Sequence, residues 1–171
     1  KGLDTVKVIV NPAINKPPVA NAGSDKTIQL PVNSVLLNGS GTDEDGAIVS
    51  YSWRKKSGPE NFTIVTAEAA TTEVNGLVEG TYVFELVVTD DDGASDTASV
   101  KITVNAAENK PPKAMAGSDQ EITLPTNSVS LAGSGIDDDG TVVFFRWSKI
   151  SGPSSFTISN PDDASTNISG L

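Results

Sequence analysis

GTDEDGAIVSYSW, residues 41–53, is an acidic Asp-x-Asp-Gly turn feeding a run in which apolar and polar residues alternate up to a tryptophan. The pattern returns 94 positions on as GIDDDGTVVFFRW, residues 135–147, and a third acidic turn, DDDG, occupies 90–93. A period of two sends successive side chains to opposite faces, as in a half-buried strand. An acidic turn and its strand, stated twice, predict tandem β-modules with their acidic loops at equivalent places.

Working outward, residues 15–77 and 109–171 align without a gap, sharing AGSD, LP, NSV, SGP and GL at matching positions. Asn-Lys-Pro-Pro opens each copy, at 15–18 and 109–112. Paired prolines hold the backbone extended and donate no hydrogen bond, so each run reads as a semi-rigid spacer between modules. Residues 1–11 alternate through Val6, Val8 and Val10 and resemble 100–105, VKITVN. They read as the last strand of an upstream module, followed by a complete module at 15–105 and a second at 109–171. The second stops before the counterparts of the last two strands. Truncation and completion by a strand from another chain, residues 3–10 being the candidate donor, both account for this.

Composition narrows the function. The 171 residues include no cysteine and no histidine, which removes thiol nucleophiles, disulfide frameworks and imidazole bases. A net charge of −10 argues against nucleic acid, whose phosphates need a basic footprint, and against anionic lipid. It suits Ca2+ or a neutral polysaccharide. No apolar run approaches the ~18 residues of a membrane span, so no membrane insertion is expected of this segment.

Strands are predicted at 26–29, 34–38, 48–55, 61–65, 73–75, 81–89 and 99–104. Val49, Tyr51 and Trp53 are placed on one face, and Tyr82, Phe84, Leu86 and Val88 on another. Seven short strands bounded by Gly, Pro, Asn and Asp turns predict an all-β fold, an immunoglobulin-like antiparallel β-sandwich repeated in tandem.

At this point the residues resemble the polycystic-kidney-disease (PKD) repeat. The resemblance runs through NKPPVA at 15–20, GSGTDEDG at 39–46, IVSYSW at 48–53, GTYVFELVVTD at 80–90 and VKITV at 100–104. The common PKD pattern continues its tryptophan into Asp-Phe-Gly-Asp-Gly. Here Arg54-Lys55-Lys56 and Ser148-Lys149-Ile150 follow instead, which resembles a divergent subgroup in extracellular parts of large surface and adhesion proteins. The resemblance implies an extracellular spacer or adhesion module, secreted or at the cell surface, with no catalytic activity of its own.

In such a sandwich the loops joining strands two–three and six–seven lie at the pole where the first strand begins. Asn15, Asp43, Asp45 and Asp90 are therefore expected to converge, with Asn109, Asp137 and Asp139 as their counterparts. Gathered side-chain oxygens are what Ca2+ takes, typically about 6–8 of them, and the resemblance implies those seven residues as ligands. The same Asp-Gly turns also arise with no metal, from Asx hydrogen bonding alone, and both readings stand.

Phe144 falls out of the apolar phase and is the candidate surface contact for a sugar or a partner. Asp43 and Asp45 do not flank a cleft, and no phosphate loop or nucleophile elbow occurs, so no enzyme is expected. The expected role is a structural and adhesive spacer whose partners are adjacent modules of its own chain, other surface proteins or polysaccharide, rigidified by Ca2+ at the junctions. The alternative is a carbohydrate-binding accessory of a polysaccharide-degrading enzyme.

Overall fold

Alternation in the sequence becomes sandwich in the first half of the chain and only part of one in the second. The computed structural model describes residues 2–171, which contain strands and no helix, and it divides into two units, Lys1–Ala107 and Glu108–Leu171. Each is described by itself.

The first unit has nine strands: β1 Val19–Asn21, β2 Lys26–Gln29, β3 Val35–Asn38, β4 Ser40–Thr42, β5 Ile48–Ser57, β6 Thr63–Ile64, β7 Thr71–Asn75, β8 Gly80–Asp90 and β9 Ser95–Asn105. One sheet runs β2-β9-β8-β5, the facing sheet runs β3-β7-β6, and β1 pairs with β4. The expected immunoglobulin-like class holds, with one exception to its antiparallel rule. β2, at the edge of its sheet, runs parallel to β9, with Ile28 opposite Val104.

The core is what the two apolar phases supply. Val35, Leu37, Val74 and Leu77 meet Trp53, Tyr82, Phe84, Leu86, Val88, Val100, Ile102 and Val104. Two buried polar tips find partners, as burial requires. The Trp53 indole donates to the Ala70 carbonyl at 3.1 Å. The Tyr82 hydroxyl accepts from the Val78 amide and donates to the Asn61 carbonyl, each at 3.0 Å, tying the turn before β8 to the strand itself. This is the tyrosine-corner arrangement of immunoglobulin-like sandwiches.

In this unit two points differ from expectation. Val49 does not share a face with Tyr51 and Trp53: the β5–β8 register slips between Ile48 and Ser50, and Val49 is left exposed. Such a bulge inserts one residue and reverses the phase upstream of it, so Ile48 turns inward instead. β1 and β4 were also not expected, being three residues each and without apolar alternation.

In the second unit the strands are β10 Lys113–Met115, β11 Ser128–Ala132, β12 Ser134–Ile136, β13 Thr157–Ile158 and β14 Ser165–Ser169. β11-β14-β13 reproduces β3-β7-β6, and β10-β12 reproduces β1-β4. The expected strand leading to Trp147 is absent: residues 141–150 carry no strand, and neither do 120–123. Their counterparts β5 and β2 pair in the first unit with β8 and β9, and residues 108–171 contain no equivalent of that hairpin. Alternation alone does not make a strand without a ladder partner. Residues 2–11 likewise form no strand and are exposed throughout.

Each unit holds one tryptophan, Trp53 buried and Trp147 half-buried. With Trp147→Phe, the remaining emission should be blue-shifted and report the first unit alone. Leu86 is fully enclosed, so Leu86→Ala in that background should cost about 2–5 kcal/mol, read as a lower urea midpoint. An unchanged midpoint would contradict the packing described.

Candidate functional site: an acidic clasp on the module entry

The turn after β4 and the turn after β8 are held against each other by backbone and carboxylate together. The Asp91 amide donates to the Ala47 carbonyl at 3.0 Å, and the Ala47 amide returns a bond to Asp91 Oδ1 at 2.8 Å. Gly46 leaves room where they cross, since a Cβ there would press on Asp91 Oδ1. Gly93 closes the second turn in the left-handed region, at φ 87°.

Within each turn an aspartate organises its own backbone. Asp43 Oδ1 accepts from the Asp45 and Gly46 amides at 3.0 and 2.8 Å. Asp90 Oδ1 accepts from the Asp92 and Ala94 amides at 3.1 and 2.7 Å. These are Asx-type turns, the metal-free use of the motif.

The remaining carboxylate oxygens reach the segment that enters the module. Asn15 Nδ2 donates to Asp90 Oδ2 at 3.0 Å. The Lys16 amide donates to both oxygens of Asp45, at 3.3 and 3.2 Å, while its Nζ meets Glu44 at 2.7 Å. Beyond Pro17-Pro18, the Ala20 amide donates to Asp96 Oδ2 at 2.8 Å. Four carboxylates from three places thus grip residues 15–20. Since proline offers no amide, the grip falls on the residues either side of the pair.

Asn15 and Asp90 are therefore in direct contact, Asp45 is bonded to the neighbouring Lys16, and Asp43 lies in the turn that docks on Asp91. Glu44, Asp91 and Asp96 take part without having been expected. Asp91 belongs to the acidic turn already noted, whereas Asp96 lies inside β9, where an alternating strand gives no hint of a cap.

The second unit keeps half of this arrangement. The Lys110 amide donates to Asp139 at 3.3 and 3.0 Å, and the Asp139 amide to Asp137 Oδ1 at 3.3 Å, matching Lys16, Asp45 and Asp43. Asn109 bonds only the Lys110 carbonyl, at 3.4 Å.

As for a metal, the oxygen-only donor set suits a hard cation, but most of these oxygens already accept amide protons. Among the described residues no three acidic side chains are grouped to hold an ion between them. Asp43 Oδ2 is the exception, buried and without a hydrogen-bond partner. Phe144 is 59% exposed and is the one exposed aromatic among the described residues, so no row of rings accompanies it.

Electrostatically, the Asn15 hydrogen bond is the main cause holding the Asp90 carboxyl below its ordinary value of 3.8. The amides of Ala94, Asp92 and Gly93 act the same way, against an opposing push from burial. Asp96 is lowered too, first by the Ala20 amide and then by Thr97. A carboxyl depressed on folding contributes stability that is present above its unfolded pKa and lost as pH falls through the folded one. The clasp should therefore hold at neutral pH and release below about pH 4. Asn15→Ala should move the Asp90 titration upward toward 3.8, followed by carboxyl carbon shifts in NMR. A titration identical to the parent would mean that Asn15 does not set it.

The comparisons agree with this architecture. A family profile described as "K319L-like, PKD domain" matches residues 22–104 and 116–171. The mouse (Mus musculus) "Dyslexia-associated protein KIAA0319 homolog" is 40% identical over 169 residues, 98% of this chain and 16% of that protein. Mouse "Low-density lipoprotein receptor-related protein 11" is 35% identical over 102 residues, 59% of this chain and 21% of that protein. A solution structure of the PKD domain from KIAA 1837 protein is 35% identical with a TM-score of 0.50, covering 59% of this chain and 98% of that domain. The chain spans under a quarter of the length of these two relatives. With both segments matched, covering most of its length, the chain belongs to the K319L-like PKD domain family.

Proposed function

We propose that this chain is a non-catalytic spacer and adhesion segment of a longer extracellular protein, whose modules are stiffened where the chain enters them. The observation that carries this reading is the grip of Asp90, Asp45 and Asp96 on residues 15–20. A proline pair limits bending by its own dihedrals. Bonds on both sides of it convert a stiff linker into one fixed to the module behind it. The small share of the relatives that this chain covers, and a relative named receptor-related, support a module within a large surface protein.

The test is backbone 15N relaxation at Lys16 and Ala20. Order parameters should be near 0.85, the rigid-backbone range, and Asp45→Ala should lower Lys16 toward the flexible range below about 0.6. A parent value already below that range would remove the spacer reading's physical basis.

Calcium is a second reading, supported by the free, buried Asp43 Oδ2. Asn15, Asp43, Asp45 and Asp90 would hold the ion, and it would neutralise their mutual repulsion. Extracellular modules bind Ca2+ with Kd of about 10⁻⁴–10⁻³ M, so ~10 mM should stabilise by about 1.4–2.7 kcal/mol. Calorimetric titration should then show binding heat, and chelator should lower the Tm by several degrees. No heat and a chelator-insensitive melt would leave the hydrogen-bonded clasp as a metal-free device.

A further inference from the structure

Three Asp-Gly pairs occur in the chain, Asp45-Gly46, Asp92-Gly93 and Asp139-Gly140, one in each acidic turn. Such a pair is open to spontaneous rearrangement, because glycine has no Cβ to keep its amide nitrogen away from the preceding side-chain carboxyl. All six residues are exposed, so water reaches every pair. What separates the three is where the glycine amide proton goes.

The Gly46 amide donates to Asp43 Oδ1 at 2.8 Å, and Ala47, next in the chain, is bonded in both directions to Asp91. The Gly93 amide donates to the Asp90 carbonyl over a longer 3.3 Å. Among the described residues the Gly140 amide meets no acceptor, and Asp137 receives only the Asp139 amide, at 3.3 Å. Otherwise the first and third turns are close copies. The Lys16 amide donates to both oxygens of Asp45 and the Lys110 amide to both of Asp139. Each of those aspartates also turns its own amide back to the first acid of its turn. The copies differ at the glycine amide and at the crossing with Asp91.

From this contrast we infer that Asp43 has a protective task beyond shaping its turn. By holding the Gly46 proton it shields Asp45-Gly46 from succinimide formation, a modification to which Asp139-Gly140 is open. In the unshielded reaction the glycine nitrogen attacks the aspartate Cγ, and a C–N bond closes a five-membered imide. The Cγ–O bond breaks, and that oxygen leaves as water with the amide proton and one proton from solvent. Water then adds to either imide carbonyl. Addition at Cγ restores aspartate. Addition at the α-carbonyl leaves isoaspartate, whose main chain runs through the side-chain carbons and is one methylene longer. At position 45 that product displaces the carboxylate that holds the Lys16 amide, and the linker loses a bond on the upstream side of its proline pair. An Asx turn fixes local backbone; here it also keeps the gripping acid chemically intact.

The experiment is storage of the full chain at body temperature in chelator, followed by peptide mapping. Isoaspartate is mass-neutral, so it is resolved by retention and by labelling with an isoaspartyl methyltransferase. In the folded parent, product at 139 should outpace product at 45 several-fold. Asp43→Ala should speed the reaction at 45 by about 2–12-fold, the worth of one ordinary hydrogen bond. Asp43→Asn keeps an oxygen acceptor and should stay at the parent rate, with the emission of buried Trp53 reporting that each variant is folded. In concentrated urea the advantage of 45 over 139 should vanish. Equal rates at 45 and 139 in the folded parent would overturn the inference. So would an advantage that survives in urea, or folded Asp43→Ala at the parent rate. The inference goes beyond the spacer reading, and linker order is not measured, so the two fail separately.

Discussion

The β8–β9 hairpin is the element on which both the sandwich and its clasp depend. It supplies Tyr82, Phe84, Leu86, Val88, Val100, Ile102 and Val104 to the core, and it carries Asp90 at its turn and Asp96 just beyond. The chain contains its own control. Where the hairpin is present, β2 and β5 are strands and Asn15 is bonded to Asp90. In the second unit, with no equivalent of it, residues 120–123 and 141–150 form no strand, and Asn109 finds only a neighbouring carbonyl. What survives there, Lys110 on Asp139, is the part of the clasp built without β8.

This dependence couples fold to proposed role. Asp90 is 1% exposed, and a carboxylate in that position has to be met by donors. Its turn supplies two amides, and the residue that opens the module supplies the third partner. The entry segment is thus part of how the module satisfies a buried charge, which is why linker order and module stability should rise and fall together. The Glu85 carboxylate on the outer face follows the same rule with different donors, Lys56 and Arg54, which hold its pKa below the ordinary range.

Much of this was legible in the residues. The period-two runs marked β5, β8 and β9, the repeat fixed the correspondence of the two halves, and immunoglobulin topology brought Asn15 and Asp90 to one pole. What was missed has local causes. The bulge at Val49 is set by how β5 closes against the Asp90 turn, not by its own alternation. β1 and β4 are too short to show a period. Asp96 was invisible because a strand's polar phase normally faces water, and nothing in SDTAS marks one carboxylate as meeting the Ala20 amide. The strand expected before Trp147 failed for a non-local reason: its Val and Phe residues favour a strand, but a ladder needs a second one.

The central claim is that Asn15 and Asp90 act as a single unit joining linker to module. A double-mutant cycle measures this directly, with Asn15→Ala, Asp90→Ala and the double variant followed by urea unfolding of the first unit. The account predicts strong non-additivity: once one partner is gone, removing the other should lower the midpoint little further than the Asp90 change alone. Two losses that simply add would show that the residues act independently and would contradict the clasp.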